Sequence, residues 1–343
     1  MAVKLIRQPN KIALIGAPWS AGARESGFEK APAALRGAGL AEKLASAGYS
    51  VEDLGDSGVR MFASDDEHPR ARNLPEVLAG LNDLRPRVEL AVKSGVLPLV
   101  LGGECGQAIA IVAGARRYFK HLNVIWMDAH ADLNTPAITP SGCVCGMVVA
   151  HMTGHGAAEL VRFWGEPPLV REPGVMLFGV QRLDPGEQEF LTRSPMPRLF
   201  APDVRGMGGR QAALQALERL HGDARQFILH LDVDVLAAES FGAAAALGSP
   251  EGLSLEEARA ALRVFLSHKN LLAMDVAQYH PDKDPDGGGA RLVVDLLVDA
   301  LQARLEASAA AEQPKPAAPE SSPSEPVEEA APTQDTPSLP TGS

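Results

Sequence analysis

The stretch LNVIWMDAHAD, residues 122–132, changes character halfway along its length. Its first half is mostly apolar, which is typical of a strand buried in a sheet, and its second half carries Asp128, His130 and Asp132. Alternate side chains of an extended chain lie on one face, so these three groups can converge on a common point. A DxHxD pattern on its own is also compatible with an ordinary polar loop.

Similar apolar runs recur along the chain and alternate with segments of helical spacing. Near-continuous apolar strands between helices indicate an α/β fold around a mostly parallel sheet with both faces covered. Ligands of such sheets bind outside the carboxyl ends of the strands. The other predicted strands are KIALIGAP (11–18), VLPLVLGG (96–103), GVMLFGVQ (174–181), QFILHLDVDVL (226–236) and NLLAMDVAQYHP (270–281). The helical segments include APAALRGAGLAEKLASAG (31–48) and LPEVLAGLNDLRPRVELAVKSG (74–95), where Pro86 is expected to break or kink the helix.

A second pair of carboxylates, Asp232 and Asp234, follows another of these apolar runs. Burying four carboxylates without counter-charge at the end of a parallel sheet would cost several kcal/mol of hydration per ion. Neither motif interleaves a Lys or an Arg, so cations must neutralise the cluster. Carboxylate oxygens together with an imidazole favour a hard or borderline divalent ion such as Mn²⁺.

Charge and composition exclude some classes of partner. The net charge of −11 disfavours nucleic acid and anionic membranes, because both require basic protein surface. No apolar run approaches the ~18 uncharged residues of a membrane span, and the first residues lack the features of a signal peptide. Three cysteines are too few, and odd in number, for a secreted disulfide framework. We therefore expect a cytoplasmic protein.

The composition divides the chain into two regions. Residues 1–310 contain all of the predicted strands and helices and are expected to form one folded domain. Residues 311–343 are rich in Pro, Ala, Ser and Glu and contain almost no large apolar side chains. Such a segment cannot bury enough surface to offset its ordering entropy, so we expect a disordered tail.

The order of the motifs resembles the ureohydrolases, and among these the arginases most closely. The motifs that carry the resemblance are GAPWSAGARESGFEKAPAALRGAGL, LGGEC, WMDAHADLNTP, SGCVCGM, GVQRLDPGE, LHLDVDV, LGSPEGLS and DVAQYHP. They span about residues 11–300. The resemblance implies a three-layer α/β/α fold, two Mn²⁺ ions at the strand ends, a hydroxide that attacks a guanidinium carbon, and a homo-oligomer, either a trimer or a hexamer.

For the metal ligands, the resemblance implies that Asp128 and Asp232 bridge two ions. One ion is also held by His130 and Asp234. The other is held by Asp132 and a residue of the glycine loop, which is a histidine in the family and Cys105 here. A thiolate is softer than an imidazole, so this second site should be weakened for Mn²⁺ and shifted towards Zn²⁺ or Fe²⁺. The alternative for Cys105 is a small buried apolar residue.

Further departures lie at positions that the resemblance assigns to catalysis and substrate binding. The resemblance implies that Cys145 replaces the proton-shuttle histidine of the family. Cys145 and Asp132 are therefore the candidate catalytic residues, and either Asp132 or Asp232 would orient the water. The asparagine that helps to bind the substrate carboxylate is Cys143, and the glutamate that pairs with the guanidinium is Gln278. The substrate-binding positions that look retained are Asn134, Ser141, Asp184, Glu187 and Ser249. LDPGE by itself also fits an ordinary turn before a helix.

All three cysteines therefore fall at site positions. This placement has three explanations. The thiols form a thiol-rich second metal site, or they mark a loss of catalytic activity. In the third, Cys143 and Cys145 are a pair of thiols that can be oxidised. We expect a divergent metallohydrolase that cleaves a guanidino-type C–N bond of an amino acid, either arginine or a modified arginine such as N-hydroxyarginine. The alternative is a catalytically impaired protein of the same fold that binds an amino acid or a partner subunit.

Overall fold

The computed structural model describes residues 8–220, 226–243 and 251–312. Its described strands form one eight-stranded sheet in the order β2-β1-β3-β8-β7-β4-β5-β6, and every neighbouring pair is parallel. The strands are β1 (Lys11–Ala17), β2 (Ser50–Asp56), β3 (Leu97–Gly102), β4 (Asn123–Met127), β5 (Val175–Val180), β6 (Arg198–Phe200), β7 (Phe227–Asp232) and β8 (Leu271–Ala277).

Helices cover both faces of this sheet. On one face lie α1 (Ala31–Gly37), α2 (Leu40–Ser46), α8 (Ala201–Met207), α9 (Gly209–Arg219), α10 (Leu255–Ser267) and α11 (Gly288–Glu312). On the other face lie α3 (Leu74–Lys93), α4 (Gln107–Arg116), α5 (Val148–Met152), α6 (Ala158–Val161) and α7 (Pro185–Arg193). Short 3₁₀ helices occur at Phe28–Lys30, Val144–Met147, Glu172–Gly174, Val233–Val235 and Pro281–Lys283.

The strands separate two hydrophobic cores. In β4, for example, Ile125 and Met127 pack into one core, whereas Val124 and Trp126 pack into the other. Because successive side chains of a strand point to opposite faces, a run that is apolar throughout places one row of residues in each core. The α/β fold, with a helical layer on each side of a parallel sheet, is therefore confirmed.

The structure differs from the sequence-based expectations at several elements. The edge strands β2 and β6 had not been predicted, and the segment 31–48 forms two helices. Gly39 lies between these helices with φ 83°, a left-handed conformation that ends a helix at little cost for glycine. Helix α3 continues through Pro86 without the expected break. The last helix ends at Glu312, and the rest of the expected tail lies outside the described residues.

The strand order places the site. Strands β3 and β4 are consecutive in the chain, yet β8 and β7 lie between them in the sheet. The carboxyl ends of these four strands meet at the centre of one edge, where the order of the strands changes and ligands of open parallel sheets bind. Within the described residues, no helix has both the length and the apolar content that crossing a bilayer requires.

Candidate metal centre and substrate cleft

Loops after four adjacent strands bring the candidate ligands together. Cys105 follows β3, the motif Asp128–Asp132 follows β4, and Asp232 ends β7, two residues before Asp234. Gln278 follows β8. Every one of these segments leaves the same edge of the sheet, so residues far apart in the sequence converge there.

The first group of candidate metal ligands consists of four residues: Cys105, Asp128, His230 and Asp232. Their donor atoms all lie within 4.8 Å of one another, and all four residues are buried. Sγ of Cys105 donates to Oδ2 of Asp232 at 3.3 Å. Among the described residues, Oδ2 of Asp128 and Nε2 of His230 are buried atoms without a hydrogen-bond partner. Buried oxygen and nitrogen atoms that have no hydrogen-bond partner are suitable ligands for a divalent cation.

The second group consists of Asp128, His130 and Asp234. Nδ1 of His130 lies 3.1 Å from Oδ2 of Asp234 and 3.5 Å from Oδ1 of Asp128. Burial opposes the charged imidazole, but the two carboxylates outweigh this effect and raise the pKa of His130 to about 12. Burial likewise opposes ionisation of Asp234, yet the charge of His130 holds the pKa of this carboxyl below its usual range. The pair therefore shows how strongly this pocket favours positive charge.

Asp132 lies beside these groups, in the wall of the cleft. Its φ of 49° is in the left-handed region, which is uncommon for a residue with a side chain and is typical of functional sites. Oδ2 of Asp132 is buried and has no hydrogen-bond partner in the described part of the chain. The resemblance implied that Asp132 shares an ion with Cys105. In the structure it is His230 that groups with Cys105, and the role of Asp132 stays a prediction.

The electrostatics of the carboxylates support a cation site. Burial, followed by repulsion from Asp128, raises the pKa of Asp132 well above its usual range. Burial, followed by repulsion from Asp234, does the same for Asp232. These shifts mean that the cluster resists ionisation unless positive charge compensates it. Oxygen, nitrogen and sulfur donors with unpaired atoms fit divalent metal ions, so the residues form a possible metal-binding cluster.

A cleft of about 690 Å³ opens at this edge of the sheet. Asp128 is fully buried and is not among its lining residues. Ser249 lies outside the described residues, so its predicted contact with substrate stays a prediction. The other predicted site residues all line the cleft: Cys105, His130, Asp132, Asn134, Ser141, Cys143, Cys145, Asp184, Glu187, Asp232, Asp234 and Gln278.

The part of the cleft wall around Glu187 is held by hydrogen bonds to the backbone. The carboxylate of Glu187 accepts hydrogen bonds from the backbone N–H of Leu133 at 2.9 Å and of Asp184 at 2.8 Å. Glu187 thus caps the N-terminus of α7, as the alternative of a turn before a helix predicts, and it also holds the loop that follows β4. Nδ2 of Asn134 donates to Oδ2 of Asp184 at 2.8 Å. This pair presents an amide and a carboxylate to the cleft.

Cys143 and Cys145 form an interacting pair of thiols. A hydrogen bond from Cys145, with a further contribution from Ser141, lowers the pKa of Cys143 to about 6 although burial opposes this shift. The same interaction, followed by burial, raises the pKa of Cys145 well above its usual range. The backbone N–H of Cys145 donates to the carbonyl of Gly22 at 3.0 Å. Cys145 therefore keeps its proton near neutral pH, which limits the predicted proton shuttle.

Gln278 contacts Cys105 and has an unusual backbone. Its φ is 64°, and its backbone N–H donates to the carbonyl of Gly103 at 2.9 Å. Its side-chain Nε2 donates to Sγ of Cys105 at 3.3 Å. The carboxamide thus directs a donor at the sulfur, which a carboxylate could not do.

Two residues of the site had not been identified from the sequence. His230 precedes Asp232 by two positions, so H-x-D-x-D repeats the spacing of Asp128–Asp132 and could have indicated a ligand. Glu104 is fully buried next to Cys105, and burial raises its pKa to about 7. One of its oxygens accepts from the backbone N–H of Gly22 at 2.9 Å, and no sequence pattern indicated that contact.

Comparisons with known proteins identify the family of this chain. A family model described as the arginase family matches residues 10–302. An arginase of Bacillus subtilis strain 168 is 32% identical over 297 residues, which cover 86% of this chain and 98% of that relative. An arginase of Bacillus caldovelox is 31% identical over 292 residues, which cover 83% of this chain and 96% of the relative.

Solved structures show the same relationship. The arginase of Bacillus caldovelox superposes with a TM-score of 0.79 at 29% identity, covering 85% of this chain and 98% of that one. The arginase of Entamoeba histolytica, solved in complex with L-ornithine, superposes with a TM-score of 0.78 at 23% identity, covering 88% of this chain and 99% of that one, and shows the shared fold alone. The match over most of the chain establishes that this protein belongs to the arginase family and is a hydrolase of the ureohydrolase type.

Proposed function

We propose that this protein is a divergent arginase-like metallohydrolase that cleaves a guanidino-type C–N bond of an amino acid. The observation that carries the proposal is the convergence of Asp128, His130, Asp232 and Asp234 beneath one cleft, with carboxylates whose burial is unfavourable without a cation. Asp132 lies in the wall of the same cleft. A binding protein without chemistry would gain little from this costly arrangement.

Two divalent ions fit the two groups of donors. Asp128 belongs to both groups and would hold both ions. Asp232 belongs to the first group only, and a second shared ligand there is what the resemblance implies. Bound ions supply the Lewis acidity that makes water a nucleophile near neutral pH. We expect Mn²⁺ at the group that contains His130, and Zn²⁺ or Fe²⁺ as competitors at the group that contains Cys105, because its thiolate is a softer ligand.

The remaining residues of the cleft would position the substrate. Asp132 would orient the attacking water, since it lines the cleft and its Oδ2 has no hydrogen-bond partner among the described residues. Asn134 and Ser141 would hold the carboxylate of the substrate, with Cys143 beside them. Asp184 and Glu187 would lie at the α-amino end of the substrate. Of these two, Glu187 would act mainly by positioning, because both of its oxygens already accept backbone hydrogen bonds.

Gln278 bears on which guanidino compound is cleaved. It carries no charge, so it offers a cationic guanidinium less stabilisation than a glutamate would. A modified guanidine such as N-hydroxyarginine is less basic and loses less from this difference. We therefore propose arginine or a modified arginine as the substrate, with the modified form preferred.

A product screen on metal-loaded protein tests the proposal. Samples loaded with Mn²⁺, Zn²⁺ or Fe²⁺ would be incubated with arginine, N-hydroxyarginine, agmatine and formimino compounds, and the released urea, substituted urea or amine would be measured. We expect release from a guanidino amino acid, and none from an Asp128→Asn variant. An inert protein under all loadings would instead support the alternative, a binding or regulatory protein of this fold.

The assembly is a separate proposal. We infer a homo-oligomer, a trimer or a hexamer, from membership of the family. Light scattering coupled to size-exclusion chromatography measures the mass directly. A mass of three or six chains supports the inference, and a single-chain mass of 36.1 kDa contradicts it.

A further inference from the structure

We propose that His230 is a metal ligand, and that with Cys105, Asp128 and Asp232 it forms a four-donor site of mixed sulfur, nitrogen and oxygen that prefers zinc to manganese. The inference rests on the proposed metallohydrolase function and deepens it, because it assigns a ligand that the motifs did not indicate. Cys105 alone would leave this site without an imidazole. His230 supplies one from a different strand.

The register of the sheet fixes the position of His230. In neighbouring strands it lies between Trp126 of β4 and Asp275 of β8, as the strand pairing shows. The rings of Trp126 and His230 are stacked, with centroids 3.7 Å apart and an interplanar angle of 13°. His230 and Asp232 are two residues apart in β7, so their side chains leave the same face of the sheet. The imidazole therefore has little freedom to turn away from the cluster.

A hydrogen-bond chain sets the orientation of the ring. Nδ1 of His230 lies 2.8 Å from Oδ2 of Asp275, and Nε2 of Gln107 donates to the same oxygen at 2.9 Å. The Asp275 carboxylate thus occupies Nδ1 of His230, and Nε2 is the ring nitrogen that is left to face an ion. Metal-binding histidines are commonly held in this way, with a carboxylate on one ring nitrogen and the ion on the other.

The free nitrogen points at the cluster. Nε2 of His230 lies 4.0 Å from Oδ2 of Asp128, and both atoms are buried without a hydrogen-bond partner within the described residues. The ring itself is fully buried. An orphaned buried polar atom costs free energy. Among the described residues His151 and His280 each have one unpaired buried nitrogen as well, but that of His230 lies 4.0 Å from an unpaired buried carboxylate oxygen. An ion between the two atoms would satisfy both.

The donor set indicates the preferred ion. Ligands of a tetrahedral zinc ion lie about 2.0–2.3 Å from the metal, and hence roughly 3.3–3.8 Å from one another. The separation of Cys105 Sγ from Asp232 Oδ2, 3.3 Å, is within that range, and the separation of His230 Nε2 from Asp128 Oδ2 needs only a small contraction. Thiolate and imidazole together suit zinc, whereas manganese prefers oxygen ligands.

Metal affinity measured by competition with a chromophoric chelator tests the proposal without relying on activity. The full-length protein and its variants would be titrated with Zn²⁺. We expect His230→Phe, which keeps a ring against Trp126, to weaken zinc binding at this site by about 100-fold or more. Asp275→Asn should weaken it by roughly 10- to 100-fold, because the ring loses its orienting carboxylate. His151→Gln replaces another buried histidine and serves as the matched control, with unchanged zinc affinity.

Cobalt substitution identifies the site that is affected. Co²⁺ bound by a thiolate gives a near-ultraviolet charge-transfer band, which should be present in the wild type and absent from Cys105→Ser. In His230→Phe at saturating Co²⁺ this band should remain, while the visible bands that report the coordination geometry should change. If His230→Phe does not fold, His230→Gln, which keeps a polar side chain, takes its place in both measurements.

The outcomes separate this inference from the proposed function. A wild-type protein that binds neither zinc nor cobalt would overturn both. A wild-type protein with the thiolate band, together with folded His230 variants of unchanged zinc affinity and unchanged visible bands, would overturn the role of His230 alone. Weakened zinc binding in the His230 and Asp275 variants, with an unaffected His151 control, would support it.

Discussion

Nε2 of Gln278 donates a hydrogen bond to Sγ of Cys105 at 3.3 Å, and Sγ of Cys105 in turn donates to Oδ2 of Asp232 at the same distance. The thiol is buried, and burial, followed by repulsion from Asp232, raises its pKa well above the usual range. Two residues that the resemblance marked as departures are therefore in direct contact. A neutral donor at position 278 is compatible with a sulfur ligand, since it would stabilise the thiolate once a metal ion has displaced the proton.

The contact predicts that Gln278→Glu is unfavourable, although glutamate is the residue that the resemblance implies at this position. A carboxylate cannot donate to Cys105, and it would be buried close to Asp232. We expect the variant to lower the free energy of unfolding of the metal-free protein by about 1–3 kcal/mol at neutral pH. Urea denaturation measures this change. Gln188→Glu makes the same change on the exposed face of α7 and should have little effect; equal losses in both variants would count against the contact.

Cys105→His should raise the affinity for Mn²⁺ by about tenfold or more, because it replaces a soft thiolate with a borderline nitrogen donor. Cys105→Ser, which keeps the size of the side chain but not its strength as a ligand, should lower affinity for Zn²⁺. Isothermal titration calorimetry of each metal against each variant gives these values. If Cys105 were only a small packing residue, the histidine variant would lose stability and show unchanged Mn²⁺ affinity.

Asp132→Asn should have opposite effects on the metal-free and metal-loaded protein. In the metal-free protein, burial and repulsion raise the pKa of Asp132, so stability falls as the pH rises through this raised value. Asparagine removes the repulsion and should add ~1–3 kcal/mol to the free energy of unfolding at pH 7.5.

In the metal-loaded protein, Asp132→Asn should instead reduce the stabilisation that the ions provide, which thermal denaturation with and without chelator measures. Asp66→Asn, at an exposed loop position, is the control and should behave like the wild type in both states. A variant that is destabilised with and without metal would contradict the proposed electrostatics.

His151 predicts a pH dependence that does not involve the metal centre. Burial lowers its pKa to about 4, and its Nε2 accepts a hydrogen bond from the backbone N–H of Ala157 at 3.1 Å. The neutral ring is favoured in the folded protein, so its contribution is complete above the ordinary pKa of 6.5 and is lost as the pH falls towards 4. Between pH 7 and pH 5 the loss should be about 2 kcal/mol.

Urea denaturation of His151→Gln at both pH values checks this, because the variant should lack that part of the acid sensitivity. His68→Gln removes an exposed histidine and is the comparison. Equal losses in the wild type and in His151→Gln would show that the buried ring does not titrate as expected.

The sequence predicted the buried part of the sheet and not its edges. Strands β1, β3, β4, β5, β7 and β8 have both faces covered, so they are apolar along most of their length and are recognisable as strands. The edge strand β2, with the sequence SVEDLGD, is largely exposed and carries three acidic residues, and β6 has only three residues. Edge strands need no apolar run, so hydrophobic periodicity gives no signal for them.

The site shows a similar division. Carboxylates at the ends of two predicted strands, now β4 and β7, indicated where ligands converge, because spacing within a strand determines which side chains share a face. The spacing of H-x-D-x-D points to His230 as a candidate, but the orientation of its ring depends on Trp126 and Asp275, which lie on other strands. Gly39, which splits the predicted first helix, was visible in the sequence, but its conformation depends on how the two short helices pack on the sheet. Contacts between residues that are far apart in the chain cannot be read from the local pattern of one sequence.

Anomalous diffraction from crystals soaked in manganese or zinc salts, recorded at the absorption edge of each metal, addresses the buried carboxylates without depending on turnover. We expect one or two anomalous peaks within bonding distance of the carboxylates of Asp128 and Asp232, with one peak also bonded to His130 and Asp234. Crystals of Asp128→Asn should lose this density. If the wild-type site shows no anomalous peak at either absorption edge after soaking, and only water beside the carboxylates, then no metal ion neutralises them. This result would contradict the proposed metallohydrolase.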